Sequence, residues 1–250
     1  SICHVSDAFV KYTKCSRVWK TMLSSVAEPV DNTARTEVLK RTLLQLGASF
    51  DRGYGATPAA RKRVDEIIEE LEGLDQDNNM LYAESGDSPL DGRWRMVWTT
   101  AQDVLVLAAS PIFTVGAIYQ DFSLPIVKNV IDLVPRAQAL LPPSTAPFTR
   151  IRAEVTTRAS PRKDKPRRIG LDFETVKIQP MEILGNTVDT LLPALRLQLP
   201  RVNLTSLGLF SAENTPGYFD VAFLDDEMLA IRQNSPGGFF VLVRTFDEDR

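Results

Sequence analysis

The sequence predicts a mainly β protein: an antiparallel up-and-down β-barrel preceded by two α-helices. Three observations lead there. Helical periodicity is confined to the chain before residue 75, eight apolar runs of strand length follow between residues 91 and 245, and the links between those runs are turn-rich and lack helices of crossover length. A parallel sheet needs such crossovers, so the strands pair as antiparallel sequential neighbours.

The first thirty residues carry Lys11, Lys14, Arg17 and Lys20 against a single Asp7. A basic, acid-poor, Ser- and Thr-containing leader has the character of an organelle transit-peptide remnant, and a disordered domain terminus is the alternative. Residues 31–90 are the expected helical lead-in. Asn32 and Thr33 can cap a helix from Ala34, with Val38, Leu39, Leu43 and Leu46 on one face before Gly47. Thr57 followed by Pro58 starts a second, whose apolar face is Val64, Ile67, Ile68, Leu71 and Leu74 and whose other face is Glu66, Glu69, Glu70 and Glu72. Helices this short need a larger element to pack on.

Residues 91–250 supply it. The run from Arg93 to Thr99 alternates Trp94, Met96 and Trp98 with more polar positions, as a half-buried strand does. Further strands are expected at Val115 to Phe122, Ile126 to Leu133, Ile151 to Thr157, Ile169 to Ile178, Tyr218 to Leu224, Met228 to Arg232 and Phe239 to Thr245. Asp225-Asp226-Glu227 and the stretch from Asn234 to Gly238 read as hairpin turns. Residues 135–148 and 180–216 are Pro- or Leu-rich without clean period and read as long connections near a barrel mouth. A barrel of about eight strands is just wide enough to be filled by side chains or to hold one slim ligand.

Composition narrows the function classes. A formal net charge of −3 gives no basic field for nucleic acid. No apolar run approaches the roughly 20 residues that span a bilayer as a helix, so any membrane contact is expected to be peripheral. The single histidine, His4, and both cysteines, Cys3 and Cys15, lie in the leader. A His-based triad or multi-His metal site within the barrel is therefore excluded. Gly53-Tyr54-Gly55 does not follow a strand and lacks a third glycine, so it is no dinucleotide loop. No enzymatic activity and no cofactor are expected.

The run Leu90-Asp91-Gly92-Arg93-Trp94-Arg95-Met96-Val97-Trp98-Thr99-Thr100 is similar to the opening strand "dGkWrLlYTT" of the plastid lipid-associated protein family, the plastid fibrillins. Tyr218-Phe219-Asp220-Val221-Ala222-Phe223-Leu224-Asp225-Asp226-Glu227, then Ile231-Arg232 and Gly238-Phe239-Phe240-Val241-Leu242, resemble its closing strands. Ile118-Tyr119-Gln120, Asn129-Val130-Ile131, Phe50-Asp51-Arg52-Gly53 and Leu71-Glu72 match in between, in order, over residues 34–245. The family's "DLRIxR" is here Glu227-Met228-Leu229-Ala230-Ile231-Arg232, with one arginine and one extra residue. The resemblance implies a lipocalin-like barrel in plastids, peripheral to thylakoids or plastoglobules. It also implies binding or organising of prenylquinones, carotenoids or fatty acids.

Gly92-Arg93-Trp94 is also the Gly-x-Trp with which lipocalins open, where a late-strand arginine lies over the tryptophan. Arg232 or Arg244 can supply that cation to Trp94, closing the barrel floor. Trp98, Tyr119, Phe173, Phe223 and Phe240 are the aromatic candidates for the ligand wall, with packed core as the competing explanation. Arg158, Arg162, Lys163, Lys165, Arg167 and Arg168 form a basic hairpin loop, either simply solvated or facing anionic headgroups. The run Val104-Leu105-Val106-Leu107-Ala108-Ala109 with Pro111-Ile112-Phe113 is a buried lid or a shallow lipid-inserting patch. Two function classes follow: a lipid carrier or surface organiser, and a scaffold with a filled barrel that holds a lipid-biosynthetic enzyme.

Overall fold

The computed structural model describes residues 32–75, 81–83, 88–140, 149–162, 165–198, 217–234 and 237–245. The expected leader, with His4, Cys3 and Cys15, lies outside them. The chain divides into two compact units, Ser1–Val38 and Leu39–Arg250. Of the first, residues 32–38 are described, as the opening turns of a helix.

That helix, α1, spans Asn32–Ser49, and a short 3-10 turn at Asp51–Gly53 leads to α2, Pro58–Leu74. Thr57 caps α2: its side-chain oxygen accepts the Ala60 N–H at 3.2 Å, and Pro58 occupies the first turn, where its missing donor costs nothing. Gly47 does not end α1 as the sequence suggested. It is buried inside the helix because a Cβ there would stand 2.5 Å from the Val97 carbonyl oxygen, so glycine is what lets helix and strand approach.

Among the described residues ten strands follow: β1 Gly92–Thr99, β2 Phe113–Ser123, β3 Ile126–Pro135, β4 Arg150–Pro161, β5 Arg168–Ile183, β6 Asn186–Thr187, β7 Leu195–Gln198, β8 Gly217–Leu224, β9 Met228–Gln233 and β10 Gly238–Arg244. A third helix, α3 (Gln102–Ala108), joins β1 to β2. Pairing runs β1-β2-β3-β4-β5-β8-β9-β10 and back to β1, all antiparallel, so eight strands close a lipocalin-like up-and-down barrel. Every one of the eight expected strands is present.

Residues 180–216, read from sequence as a loop, are partly strand. β5 continues to Ile183, β6 pairs with its end, and β7 pairs with residues Thr175 to Ile178. β7 and β8 lie along the same edge of β5 in the same direction, since Gln198 opposes Thr175 and Gly217 opposes Leu171. They act as one wall strand interrupted at the level of Phe173.

Two apolar cores result. One fills the barrel and includes Trp94, Met96, Phe122, Val127, Ile169, Phe219, Leu229, Ile231, Phe240 and Leu242. The other lies between the outer barrel wall and the helices, joining Leu39, Leu43, Val64, Ile67, Ile68 and Leu71 to Trp98, Phe223, Met228, Ala230 and Val241. One end of the barrel is shut. Leu81, Leu90 and Leu124 are buried there; Leu81 N–H donates to Pro166 O at 3.3 Å, and Leu124 N–H donates to Asp91 Oδ1 at 3.0 Å.

Candidate functional site

The closed floor is built around Trp94. Its indole N–H donates to Leu90 O at 2.8 Å, and the Arg244 guanidinium lies 4.2 Å from the ring centroid. Arg244 spends its donors on three backbone carbonyls, Asp91 at 2.7 Å, Asp226 at 2.8 Å and Pro89 at 3.0 Å. Of the two arginines the sequence offered for this stack, Arg244 makes it. Arg232 faces outward instead, pairing with Glu72 at 3.1 Å and lying over Phe239 at 4.8 Å, because Ile231 between them in parity takes the inward position.

The five aromatic candidates separate by face. Phe240 is in the barrel core, opposite Thr99 and Ile231. Phe173 opposes the buried Thr157 on the inner wall, half-buried beside Gly217. Trp98 and Phe223 pack against the helices. The cause in both cases is a break in alternation: the register of β1 on β10 slips between Met96 and Trp98, and that of β8 on β9 between Val221 and Phe223. An inserted residue switches every following side chain to the other face. Tyr119 is also outside, under the Arg93 guanidinium at 4.1 Å.

The inner wall changes character along its length. Near the floor, Val127, Thr157, Ala159 and Ile169 are buried. Further up β3, β4 and β5, residues Asn129, Ile131, Leu133, Ile151, Ala153, Val155 and Val176 are only half-buried, and Ile178 is 37% exposed. Beside them on β7, Leu195 opposes Ile178 and Leu197 opposes Val176, at 58% and 49% exposure. The strands β3, β4, β5 and β7 therefore extend past the closed barrel as a curved apolar surface that is shut below and open above. Periodicity alone hid this: both faces of these strands carry apolar residues, and β7 lay in a run without clean period.

Around this opening stand further exposed apolar side chains, Ile112 at 65%, Leu184 at 63% and Leu191 at 76%. The run from Val104 differs in burial along α3. Val104 is buried in the barrel core, whereas Val106 and Leu107 on the same helix are exposed.

Along β2 to β5, charge is kept on the outer face. Asp132, 5% exposed, accepts from Arg152 Nε at 2.8 Å and Arg150 Nη1 at 3.3 Å, and the bond to Asp132 raises the Arg152 pKa. Burial pushes the Asp121 carboxyl above its usual range, against the opposing pull of Arg93 at 3.5 Å. Of the basic hairpin, Arg158 pairs with Glu174 at 2.7 Å, Arg167 with Asp75 at 2.6 Å and Arg168 with Asp220 at 2.7 Å, while Lys163 lies outside the described residues. A polar cavity of about 260 Å³ lies among Lys165, Arg167, Arg168, Asp220, Arg232 and Glu72 on the outer wall. Asp225 Oδ1 accepts the N–H groups of Glu227 and Met228, so the acidic trio is a turn, tied to α1 by Lys40. Among the described residues no cluster of His, Cys, Asp and Glu could hold a metal ion, and no helix is long and apolar enough to cross a membrane.

The PAP_fibrillin family model matches residues 37–243, which cover both helices' cores and all of the barrel but its last residue, Arg244. The chain belongs to this plastid lipid-associated protein family. A relative in it, a "probable plastid-lipid-associated protein 10, chloroplastic" of Arabidopsis thaliana, is 27% identical over 248 residues, spanning 86% of this chain and 80% of its own length. No solved structure matches. In this plastid lipid-associated protein, then, the matched region includes Trp94 and Leu90 of the floor, the two bulged strands and the open apolar wall.

Proposed function

We propose that this chain is a plastid protein that holds or organises apolar lipids at thylakoid or plastoglobule surfaces, taking the lipid tail against the open inner wall. The observation that carries the reading is the half-exposed apolar face of β3, β4, β5 and β7 above a sealed floor. Prenylquinones, carotenoids and fatty acids all offer tails that suit such a wall. Burying each CH₂ gains about 0.8 kcal/mol, so a tail of even ten carbons gains several kcal/mol before ordering costs. The exposed apolar side chains around the opening suit a peripheral lipid surface, across which a tail need not pass through water. The chloroplastic relative and the family support the plastid setting.

The test is lipid mass spectrometry of the protein isolated from plastids, joined to titration of a Phe173→Trp variant, whose reporter sits on the inner wall at the point where β7 gives way to β8. Co-purifying lipid and a shift in the new tryptophan's emission are expected. Absence of both would transfer the function to the second reading, a scaffold for a lipid-biosynthetic enzyme, which the fully packed lower barrel also suits.

A further inference from the structure

The inner wall is apolar but for a small polar set, and one pair of it stands where the β3 side of the wall passes from buried to half-buried residues, with Ile118 above it on β2 still buried. Gln120 on β2 opposes Asn129 on β3, and both lie on the inner face, in line with Phe122 and Val127 toward the floor and Ile131 toward the opening. Directly opposed residues on one face bring their Cβ atoms to about 5 Å. Both side chains are half-buried, whereas Val127 beneath them is closed off. The Gln120 Oε1 atom is buried and accepts no hydrogen bond. A buried amide oxygen without a donor is costly, and a ligand that supplies the donor recovers that cost.

Among the described residues of β2 to β5, no charged side chain shares this stretch of wall. The acidic and basic residues of β2 to β5, among them Asp121, Lys128, Asp132, Arg152, Glu154 and Lys177, alternate onto the outer face. The inward cation nearest the floor, Arg244, is stacked beneath Trp94 with its N–H groups on backbone carbonyls. An ionised head at Gln120 would therefore lose its hydration with no counter-charge from the described residues of these strands to replace it.

We infer that Gln120 and Asn129 form a head-group site for a neutral amphiphile, one bearing a hydroxyl or carbonyl on a long apolar chain, inserted head toward the floor with its tail along β3, β4, β5 and β7. The amide pair offers both donor and acceptor, so an alcohol or a carbonyl can be matched, whereas a carboxylate is admitted only when protonated. This rests on the inner wall being the lipid site.

The experiment displaces the neutral probe diphenylhexatriene from the full chain with three ligands of equal length: cis-9-octadecen-1-ol, cis-9-octadecenoate and cis-9-octadecene. At pH 8 the alcohol is expected to bind at least tenfold more tightly than the carboxylate and several-fold more tightly than the hydrocarbon. As the pH falls and the acid protonates, its affinity should approach that of the alcohol. In the Gln120→Leu, Asn129→Leu double variant the alcohol should drop to the level of the hydrocarbon, whose own binding is kept. Equal binding of alcohol and carboxylate at pH 8 overturns the head-group site while leaving the apolar wall intact. So does an alcohol preference that survives the double substitution. Failure of all three ligands and the probe to bind overturns the lipid wall itself. The pH series on the unaltered protein decides the question even if the double variant does not fold.

Discussion

Trp94 and Trp98 make a controlled pair for testing the bulge in β1. Both are fully buried, they stand four residues apart on one strand, and simple alternation would give them the same surroundings. The structure gives them opposite ones. Trp94 N–H donates to Leu90 O at 2.8 Å and carries Arg244 on its ring, whereas the Trp98 N–H lies buried against the helices with no acceptor. Replacing either by phenylalanine removes about three ring atoms, a loss of roughly 2 kcal/mol of burial and packing. For Trp94→Phe the stranded Leu90 carbonyl adds about 1–3 kcal/mol and the weakened stack up to about 1 kcal/mol, giving about 3–6 kcal/mol in all. For Trp98→Phe the same 1–3 kcal/mol is returned, because an unsatisfied donor disappears, and the variant should lie within about 1 kcal/mol of the parent. Urea unfolding followed by circular dichroism reads both, with equal slopes confirming that midpoints report stability. A Trp98→Phe cost equal to or above that of Trp94→Phe would refute the assignment of the two rings to different faces.

The two arginines should separate likewise. Arg244→Ala loses three charged hydrogen bonds and the floor stack, about 2–4 kcal/mol, while Arg232→Ala breaks one half-exposed pair with Glu72 and should cost under about 1 kcal/mol by the same urea measurement. Gly47→Ala should destabilise despite alanine's better helix propensity, by about 1–3 kcal/mol in thermal unfolding, since its Cβ meets the Val97 carbonyl at 2.5 Å. Asp121 has a folded pKa raised by burial, so its contribution to stability is present below the unfolded pKa and is lost as pH rises through the folded one. Asp121→Asn should therefore raise the melting temperature at pH 7, and the gain should vanish at pH 3; a gain that grows on acidification would contradict the raised pKa.

Much of this protein was determined locally and was open to reading in the chain. Thr57-Pro58 starts α2 because a capping oxygen and a donor-free first residue meet the needs of any helix N-terminus. The eight wall strands follow from apolar runs separated by turns, and the short links β2–β3, β8–β9 and β9–β10 leave antiparallel pairing as the only route between those neighbours. What the tertiary structure decided was which face each residue serves. Trp98 and Phe223 continue the alternation of Trp94, Met96, Phe219 and Val221 by letter, yet one inserted residue in each strand turns them out to the helices. A bulge depends on the register of the partner strand, which a single run of residues does not encode. Arg232 and Arg244 were equivalent partners for Trp94 until the parity of β9 and β10 around a closed barrel sent one outward and one inward. Gly47 read as a helix stop because glycine more often ends a helix than sits within one; only the Val97 carbonyl pressing on it explains its place. The open wall, likewise, exists because β5 outruns β8 and passes to β7, a pairing between residues twenty apart that no local pattern announces.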